Sequence, residues 1–183
     1  MSNIWFTSDT HFNHNKSFLY EPRGFSSIVE HDIEVVRRWN EIVKSTDIVY
    51  HLGDIGMGKN IEYLCSIVKS LNGNIKWILG NHCTDNRIKH IGALSNIEVI
   101  GYADKLKISR NISLFLCHYP TLTMPRNLDG KLNGCTYSLC GHTHTKDRWL
   151  NWDKGGIYHV ELDAHNCYPV SLEEVRKDLY THN

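Results

Sequence analysis

The chain has 183 residues, enough for one domain with a substantial buried core, and 41% of them are hydrophobic. Lys and Arg number 20, as do Asp and Glu, so no charge excess indicates a nucleic acid or membrane surface as partner. Neither a signal peptide nor an apolar run of about 18 residues is present, which predicts one cytoplasmic domain over residues 1–183. Six cysteines without a C-x-x-C pair favour free thiols, whereas 12 histidines are unusually many.

The hydrophobic pattern predicts short strands that alternate with helices, which is typical of an α/β fold. Five apolar runs indicate buried strands at residues 4–6, 48–52, 75–79, 112–117 and 137–140. Two further strands are predicted at residues 98–108, broken at Gly101, and at residues 157–163.

Three helices are predicted from capping signals and helical spacing. The first follows the capping box Ser27-x-x-Glu30, ends near residue 44 and should direct positions 29, 33, 36, 40 and 43 inward. The second carries apolar residues at 61, 64, 65 and 68 and is stopped by Asn72-Gly73. A third begins at Ser171-x-x-Glu174.

The residues that follow the five buried strands share metal-ligand chemistry. In chain order they are Asp9-Thr10-His11, Gly53-Asp54, Gly80-Asn81-His82, His118 and Gly141-His142-Thr143-His144. In open α/β sheets, ligands bind beyond the carboxyl ends of the strands, so side chains far apart in sequence can converge there. Each motif alone is weak evidence, but five in succession at strand ends make chance negligible.

Residues 53–60 also fit the start of a nucleotide-binding loop, G-x-x-x-x-G-K. That loop needs Ser or Thr after its lysine so that a hydroxyl reaches Mg²⁺, and this chain has Asn60 there. The carboxylate of Asp54 would also face the phosphates. These two features favour a metal-ligand loop.

The five motifs, in this order, resemble the signature of the calcineurin-like metallophosphoesterases. SDTHFNH at residues 8–14, His118-Tyr119-Pro120 and PVSLEE at residues 169–174 resemble its short, single-domain bacterial and phage members. The resemblance implies a four-layer α-β-β-α sandwich, in which two mixed sheets are flanked by helices, and a centre of two divalent ions.

The resemblance also implies roles for single residues. One ion would be held by Asp9, His11 and His144, the other by Asn81, His118 and His142, and Asp54 would bridge them. A donor set of oxygen and nitrogen without thiolate suits Mn²⁺, Fe or Zn²⁺. Two such ions activate a shared water as hydroxide for in-line attack on a phosphate ester. His82 would protonate the leaving group or stabilise its charge.

Two departures from the family pattern limit what the resemblance implies. The family often has an acidic residue after G-N-H, but this chain has Cys83, so whatever orients His82 must differ. The G-D-x-x-D-R-G motif of the protein Ser/Thr phosphatases is also absent, which disfavours a phosphoprotein substrate. Cationic residues in the predicted loops are candidate substrate contacts, with ordinary exposed surface as the alternative: His14, Arg23 and Arg126.

Three function classes remain open. The first is a metal-dependent hydrolase of small phosphate esters, with diesters or nucleotide esters favoured. The second is a nuclease, for which a chain of zero net charge supplies no basic groove. The third is a non-catalytic interaction module on the same fold. The complete ligand set favours the first class, and the sequence does not predict an oligomeric state.

Overall fold

The computed structural model describes residues 2–123, 135–150 and 156–181. Its strands are β1 (Ile4–Thr7), β2 (Ile48–His51), β3 (Asn74–Ile78), β4 (Ile97–Gly101), β5 (Ala103–Lys107), β6 (Ile112–Cys117), β7 (Cys135–Cys140), β8 (Trp149–Leu150), β9 (Ile157–His159) and β10 (Val170–Ser171). Its α-helices are α1 (Ser17–Tyr20), α2 (Ile28–Ile42), α3 (Ile61–Ser70), α4 (Asp85–Ile91) and α5 (Leu172–Thr181), and a 3-10 helix spans Leu162–His165. In these ranges, the helices are too short or too polar to cross a bilayer.

The strands form two five-stranded sheets. Sheet 1 has the order β10-β1-β2-β3-β4, and sheet 2 has the order β5-β6-β7-β9-β8. In sheet 1 the four strands β1 to β4 are parallel and β10 is antiparallel. In sheet 2 the strands β6, β7 and β9 are parallel, between antiparallel β5 and β8. The predicted architecture of two mixed sheets flanked by helices is confirmed.

Two apolar clusters hold these layers together. One joins sheet 1 to the helices that cover it and includes Trp39 of α2, Leu64 of α3 and Trp77 of β3. The other lies between the two sheets and includes Ile78 of β3 and Tyr137 of β7. Consecutive residues Trp77 and Ile78 thus enter different clusters, because successive side chains of a strand point to opposite faces. The apolar run of this strand is therefore buried on both sides, as the sequence predicts.

Helix α2 begins where the sequence predicts, but it presents a different face to the core. The Ser27 hydroxyl caps it by accepting the Glu30 N–H. Its buried positions are Ile28, His31, Asp32, Val35 and Trp39. Val29 and Ile33, which the predicted stripe directs inward, are 58% and 65% exposed. The prediction was wrong for these two, whereas Val43 is buried and Val36 packs against the same cluster. Two of the inward residues are polar, so apolar spacing did not reveal the whole buried face.

Two predicted strands differ from the structure. Residues 98–108 form two strands in different sheets, β4 and β5, with Gly101 at a φ of 118° where the chain leaves sheet 1. The strand predicted at residues 157–163 ends at His159, and Asp163 belongs to the 3-10 helix. This turn brings the Asp163 carboxylate to the loop that follows β1, as described below.

Candidate metal centre

The loops after β1, β2, β3, β6 and β7 meet at one edge of the two sheets. Backbone hydrogen bonds join them in pairs: His11 N–H donates to the Asp54 carbonyl (3.0 Å), and Gly141 N–H donates to the His118 carbonyl (3.0 Å). The His142 N–H donates to the Asp9 carboxylate across the two sheets (2.9 Å). Since parallel strands end at the same sheet edge, their next residues converge, as the sequence predicts.

Asp9, His11 and His144 form one cluster, in which the ligand atoms lie within 4.8 Å of one another. The Nε2 atoms of His11 and His144 lie 3.6 Å and 3.7 Å from Asp9 Oδ1. These three residues are the ones that the resemblance assigns to one ion.

A second cluster surrounds His118. Its Nε2 lies 3.3 Å from Asp54 Oδ2, 2.8 Å from Asn81 Oδ1 and 3.2 Å from His142 Nδ1. Potential ligand atoms of Asp9, Asp54 and His118 also lie within 4.8 Å of one another. Asp9 therefore belongs to both clusters, so the two carboxylates lie where the clusters adjoin.

The backbone is strained at five of the seven candidate ligands. Within the described ranges, eight non-glycine residues have positive φ, and five of them are Asp9 (54°), His11 (48°), Asp54 (56°), His142 (74°) and His144 (51°). Such conformations cost about 1–3 kcal/mol each and persist only where the surroundings enforce them, which is typical of functional sites. The strain indicates a functional site, and this evidence is independent of the sequence motifs.

Two glycines permit the close approach of the loops. A Cβ atom at Gly141 would collide with the Asp9 carboxylate and the Ser8 hydroxyl. A Cβ atom at Gly53, whose φ is 105°, would collide with the His118 ring. Glycine is required at these two positions because side chains of the site pack directly against the glycine backbone.

The side chains present fit a divalent cation. The Asp9 Oδ1 and His11 Nδ1 atoms are buried and have no hydrogen-bond partner, a costly arrangement that a bound cation relieves at the carboxylate. Burial raises the pKa of Asp9, but contact with His11 and the charges of His118, His11 and His144 outweigh it, so this pKa lies below its usual range. The carboxylate is therefore ionised, and the donors are all oxygen or nitrogen, which suits Mn²⁺, Fe or Zn²⁺.

A backbone carbonyl orients His118. Its Nδ1–H donates to the Leu52 carbonyl oxygen (2.8 Å), and the residue is fully buried. A hydrogen bond at one ring nitrogen fixes the tautomer and leaves the other nitrogen available as a ligand. The other ring nitrogen, His118 Nε2, faces Asp54 Oδ2 and Asn81 Oδ1.

An ion pair orients His144. Its Nδ1 contacts Asp163 Oδ2 at 3.0 Å, and Arg23 binds the same carboxylate in a bidentate manner at 3.0 and 2.7 Å. Arg23 also donates to the Asp9 carbonyl (2.8 Å), and its side chain is only 1% exposed. The prediction of Arg23 as a substrate contact on a flexible rim was wrong, because its guanidinium is buried and occupied by these partners.

The network behind Arg23 reaches helix α2. Arg23 Nη1 lies 3.0 Å from His31 Nε2, and His31 Nδ1 lies 2.9 Å from Asp32 Oδ1. Asp32 in turn accepts the Asn13 N–H (2.9 Å) in the loop after β1. The polar residues that hide the buried face of α2 in the sequence thus support the loop of His11.

Glu161 anchors the loop that carries His142 and His144. Its buried carboxylate accepts the Thr143 hydroxyl (2.9 Å) and the Thr145 N–H (3.2 Å) and lies 3.2 Å from His159 Nδ1. Glu161 and Asp163 were not among the predicted site residues. Both follow β9, where the sequence predicted continuing strand, and no spacing pattern relates them to their partners.

The loop after β3 places His82 beside the two clusters. The His82 N–H donates to Asp54 Oδ1 (2.9 Å), and Arg87 donates to the His82 carbonyl (2.6 Å). The rings of His82 and His11 meet edge on, with centroids 5.6 Å apart. The Cys83 sulfur, at the position that is often acidic, accepts the Gly80 N–H (3.2 Å) and lies 3.9 Å from Asp54 Oδ1. Burial raises the pKa of this thiol to about 11, so it is neutral.

His14 lies at the rim of the site, as its prediction requires, while Arg126 lies outside the described residues. The His14 ring packs against His11 and Phe18, with centroids 5.3 and 5.7 Å away. Burial, followed by the neighbouring positive charges of His11, His82 and His144, lowers the pKa of His14 to about 4. His14 is therefore a neutral group near neutral pH.

A family model for the calcineurin-like phosphoesterase superfamily domain matches residues 3–160. The chain therefore belongs to the calcineurin-like phosphoesterase superfamily, whose members are metal-dependent phosphoesterases. The matched range contains all seven candidate ligands and His82, and it ends before Asp163.

Three similar proteins extend this result. The gene 66 protein of Mycobacterium phage L5 is 38% identical, over 100% of this chain and 96% of its own length. An uncharacterized protein of Methanocaldococcus jannaschii is 31% identical, over 97% of this chain and 91% of its own length. A crystal structure of a protein of unknown function from Aquifex aeolicus superposes with a TM-score of 0.68 at 21% identity, over 97% of this chain and 99% of that one. The structural match supports the fold alone.

Proposed function

We propose that this protein hydrolyses small phosphate esters, with diesters preferred, by means of two divalent ions. One ion is assigned to Asp9, His11 and His144, the other to Asn81, His118 and His142, with Asp54 between them. The observation that carries the proposal is the pair of adjoining ligand clusters around the buried Asp9 and Asp54 carboxylates. When bound, such ions lower the pKa of water and offset the negative charge of a phosphoryl group.

His82 is proposed as the group that donates a proton to the leaving oxygen. Its backbone bond to Asp54 and the Arg87 bond to its carbonyl fix the loop against the metal ligands. Proton donation of this kind contributes about 10²- to 10⁴-fold in rate.

The preference for diesters follows from the charge around the site. Arg23 is occupied by Asp163, and among the described residues that line the cavity beside His11, none is Lys or Arg. A monoester dianion carries one more negative charge than a diester, and this part of the site offers no cationic side chain to compensate it.

The test is hydrolysis of bis(p-nitrophenyl) phosphate and p-nitrophenyl phosphate by protein reconstituted with Mn²⁺ or Zn²⁺. We expect close to two ions per chain, faster hydrolysis of the diester and loss of activity with a chelator. Activity that survives the chelator at fewer than two ions per chain would contradict the two-ion centre.

His82→Ala tests the proton donor separately from the ions. The variant should keep both ions and lose about 10²- to 10⁴-fold in rate, with the larger loss on a nucleotide ester, because its alkoxide needs protonation more than nitrophenolate does. His90→Ala, which removes an exposed histidine of α4, is the control and should leave both rates unchanged. Equal losses on the two esters, or loss of ions, would show that His82 is misassigned.

A further inference from the structure

A cavity of about 500 Å³ opens beside His11 and His144. This volume lies in the range of small-molecule sites, about 300–1,000 Å³. Its polar side is formed by four histidines and Asp163, and its other side by Phe18, Leu19, Pro22 and Met57. A cavity of about 600 Å³ beside Trp5 and Arg176 contains none of the candidate ligands.

The apolar side of the cavity suits a planar ring. Phe18 is 71% exposed, and its ring stands at 90° to that of His14. Leu19, next to it on α1, is 5% exposed. An exposed aromatic ring above apolar side chains offers a stacking surface, and base-to-aromatic stacking contributes measurably to the affinity of nucleic-acid-binding proteins.

The cavity is not suited to a charged group. None of the described residues that line it is Lys or Arg, and its one acidic residue, Asp163, is neutralised by Arg23 and bonded to His144. Apart from the proposed ion at His11 and His144, which would bind the phosphoryl group, the described lining offers a second phosphate or a carboxylate no Lys or Arg as a partner. We therefore expect the ligand portion that enters the cavity to be uncharged.

The position of the cavity relates it to the proposed reaction. Two candidate metal ligands, His11 and His144, line it together with His82. If the phosphoryl group lies at the ions and His82 faces the leaving oxygen, the substituent on that oxygen extends toward Phe18 and Met57.

On the basis of the proposed function, we propose that this cavity binds the leaving group of the substrate and that this group carries a planar, uncharged ring. Aryl and nucleoside phosphodiesters have this chemistry. Phe18 is then a specificity-determining residue, which binds the leaving group and takes no part in proton transfer or in metal binding.

Direct binding of two phosphonates to the metal-loaded protein tests the proposal without hydrolysis. Phenylphosphonate and methylphosphonate have the same head group and differ in the ring. Calorimetric titration should show phenylphosphonate bound at least about fivefold more tightly, as expected for one stacked ring. Phe18→Ala should lose most of this preference while it keeps its affinity for methylphosphonate and its ion content. Tyr180→Ala, which removes an exposed aromatic ring outside the cavity, is the matched control and should keep the preference.

The outcomes separate this proposal from the function on which it rests. If diesters are hydrolysed but the two phosphonates bind equally, the leaving-group assignment is wrong and the hydrolase stands. An equal loss of preference in Phe18→Ala and Tyr180→Ala would also overturn it. If no ester is hydrolysed by the two-ion protein, the proposed function fails and the leaving-group assignment fails with it.

Discussion

Two histidines of the candidate centre are held in place by different means. His118 donates its Nδ1–H to the neutral carbonyl of Leu52 at 2.8 Å and is fully buried. His144 has the charged carboxylate of Asp163 at 3.0 Å from its Nδ1, and its side chain is 35% exposed. Both arrangements leave Nε2 available as a ligand. They differ in what fixes the ring.

The difference follows from exposure. The His118 ring is fully buried and packs closely against Gly53, where an added Cβ atom would collide with it, so a neutral hydrogen bond is sufficient to fix its tautomer. The His144 ring borders the open cavity and lacks such packing. A charge-assisted bond, which is about twice as strong as a neutral one, replaces it. Packing thus fixes one side of the centre, here called the His118 side, and electrostatics fixes the other, the His144 side.

We expect the largest loss of metal and activity from a change at Asp54, which lies between the two sides. Asp54→Asn removes the charge that lies 3.3 Å from His118 Nε2 and clusters with Asp9. We expect both ions to be lost and hydrolysis to fall to background. The Asp54 carboxylate is proposed to lie between the ions, so its loss removes both metal binding and the activation of water. Metal analysis and rate measurement check this. Retention of one ion at full affinity would assign Asp54 to one side only.

Asp163→Asn should weaken the His144 side alone. The amide keeps the shape but removes the charge that fixes His144 and pairs with Arg23. Loss of such a partner behind a metal-binding histidine costs about 10- to 100-fold in metal affinity. Calorimetric titration should show one weakened ion and one unchanged ion.

The control for this prediction is Asp147→Asn, which removes an exposed carboxylate near the same loop. It should leave both affinities unchanged. Equal weakening of the two ions in Asp163→Asn would contradict the division of the centre into two differently supported sides.

Gly53→Ala should disturb the His118 side. A residue with a Cβ atom at this positive φ costs about 1–2 kcal/mol, and overpacking against the His118 ring costs about 1–3 kcal/mol more. Gly101→Ala is the matched control, because Gly101 also has a positive φ, of 118°, but nothing lies within 4 Å of its added Cβ. The free energies of unfolding of the two variants, measured in denaturant, should differ by the cost of overpacking against His118. Equal free energies of unfolding would show that packing does not confine His118.

The smallest expected effect is on the pH dependence of metal binding. Burial lowers the pKa of His144, but its bond to Asp163 and the charges of Asp9 and Asp163 outweigh this and raise the pKa above 6.5. Protons compete with the ion for the imidazole, so affinity on the His144 side should fall as the pH drops through this raised pKa. In the metal-free protein, the sign is opposite: the shift stabilises the fold below pH 6.5, and this stability is lost as the pH rises through the raised pKa.

Asp163→Asn lowers the affinity on the His144 side at every pH, but the pH at which this affinity begins to fall should move lower, because the variant removes a cause of the raised pKa of His144. The pKa of His118 is also raised, against the effect of burial, by its bond to Asp54 and by the charges of Asp9 and Asp54, and this set does not include Asp163. In the variant, the pH midpoint for the ion on the His118 side should therefore stay constant. Titration of both ions from pH 5 to 8 measures the shift, and a common shift on both sides would show that Asp163 acts through the general field of the site.

The features that the sequence predicts well are local ones. The bounds predicted for β6 agree with the structure, and those of β1, β2 and β3 agree within one residue at each end. Continuous apolar runs reveal such strands because each face packs against its own apolar cluster. The candidate ligands are found in the same way, since each follows a strand directly and the carboxyl ends of parallel strands lie together.

Support for the site was less accessible to prediction. Arg23 and Asp163 are 140 residues apart, and neither lies in a motif that specifies the other as its partner. Asp163 also lies beyond residues 3–160, the range that the family model matches. Arg23 was predicted as a candidate substrate contact because its loop was expected to form a rim around the metals, with ordinary exposed surface as the alternative. Its burial depends on a carboxylate that only the folded chain brings to it.

The sequence by itself determined the α/β class, the buried strands and the order of the metal-ligand motifs, because these depend on the periodicity of neighbouring residues. Only the tertiary structure decided that β4 and β5 belong to different sheets, that α2 buries His31 and Asp32, and that Arg23 pairs with the carboxylate of Asp163. Each of these outcomes depends on a contact between segments distant in sequence. Such contacts pair charges and exclude water in ways that no local spacing specifies.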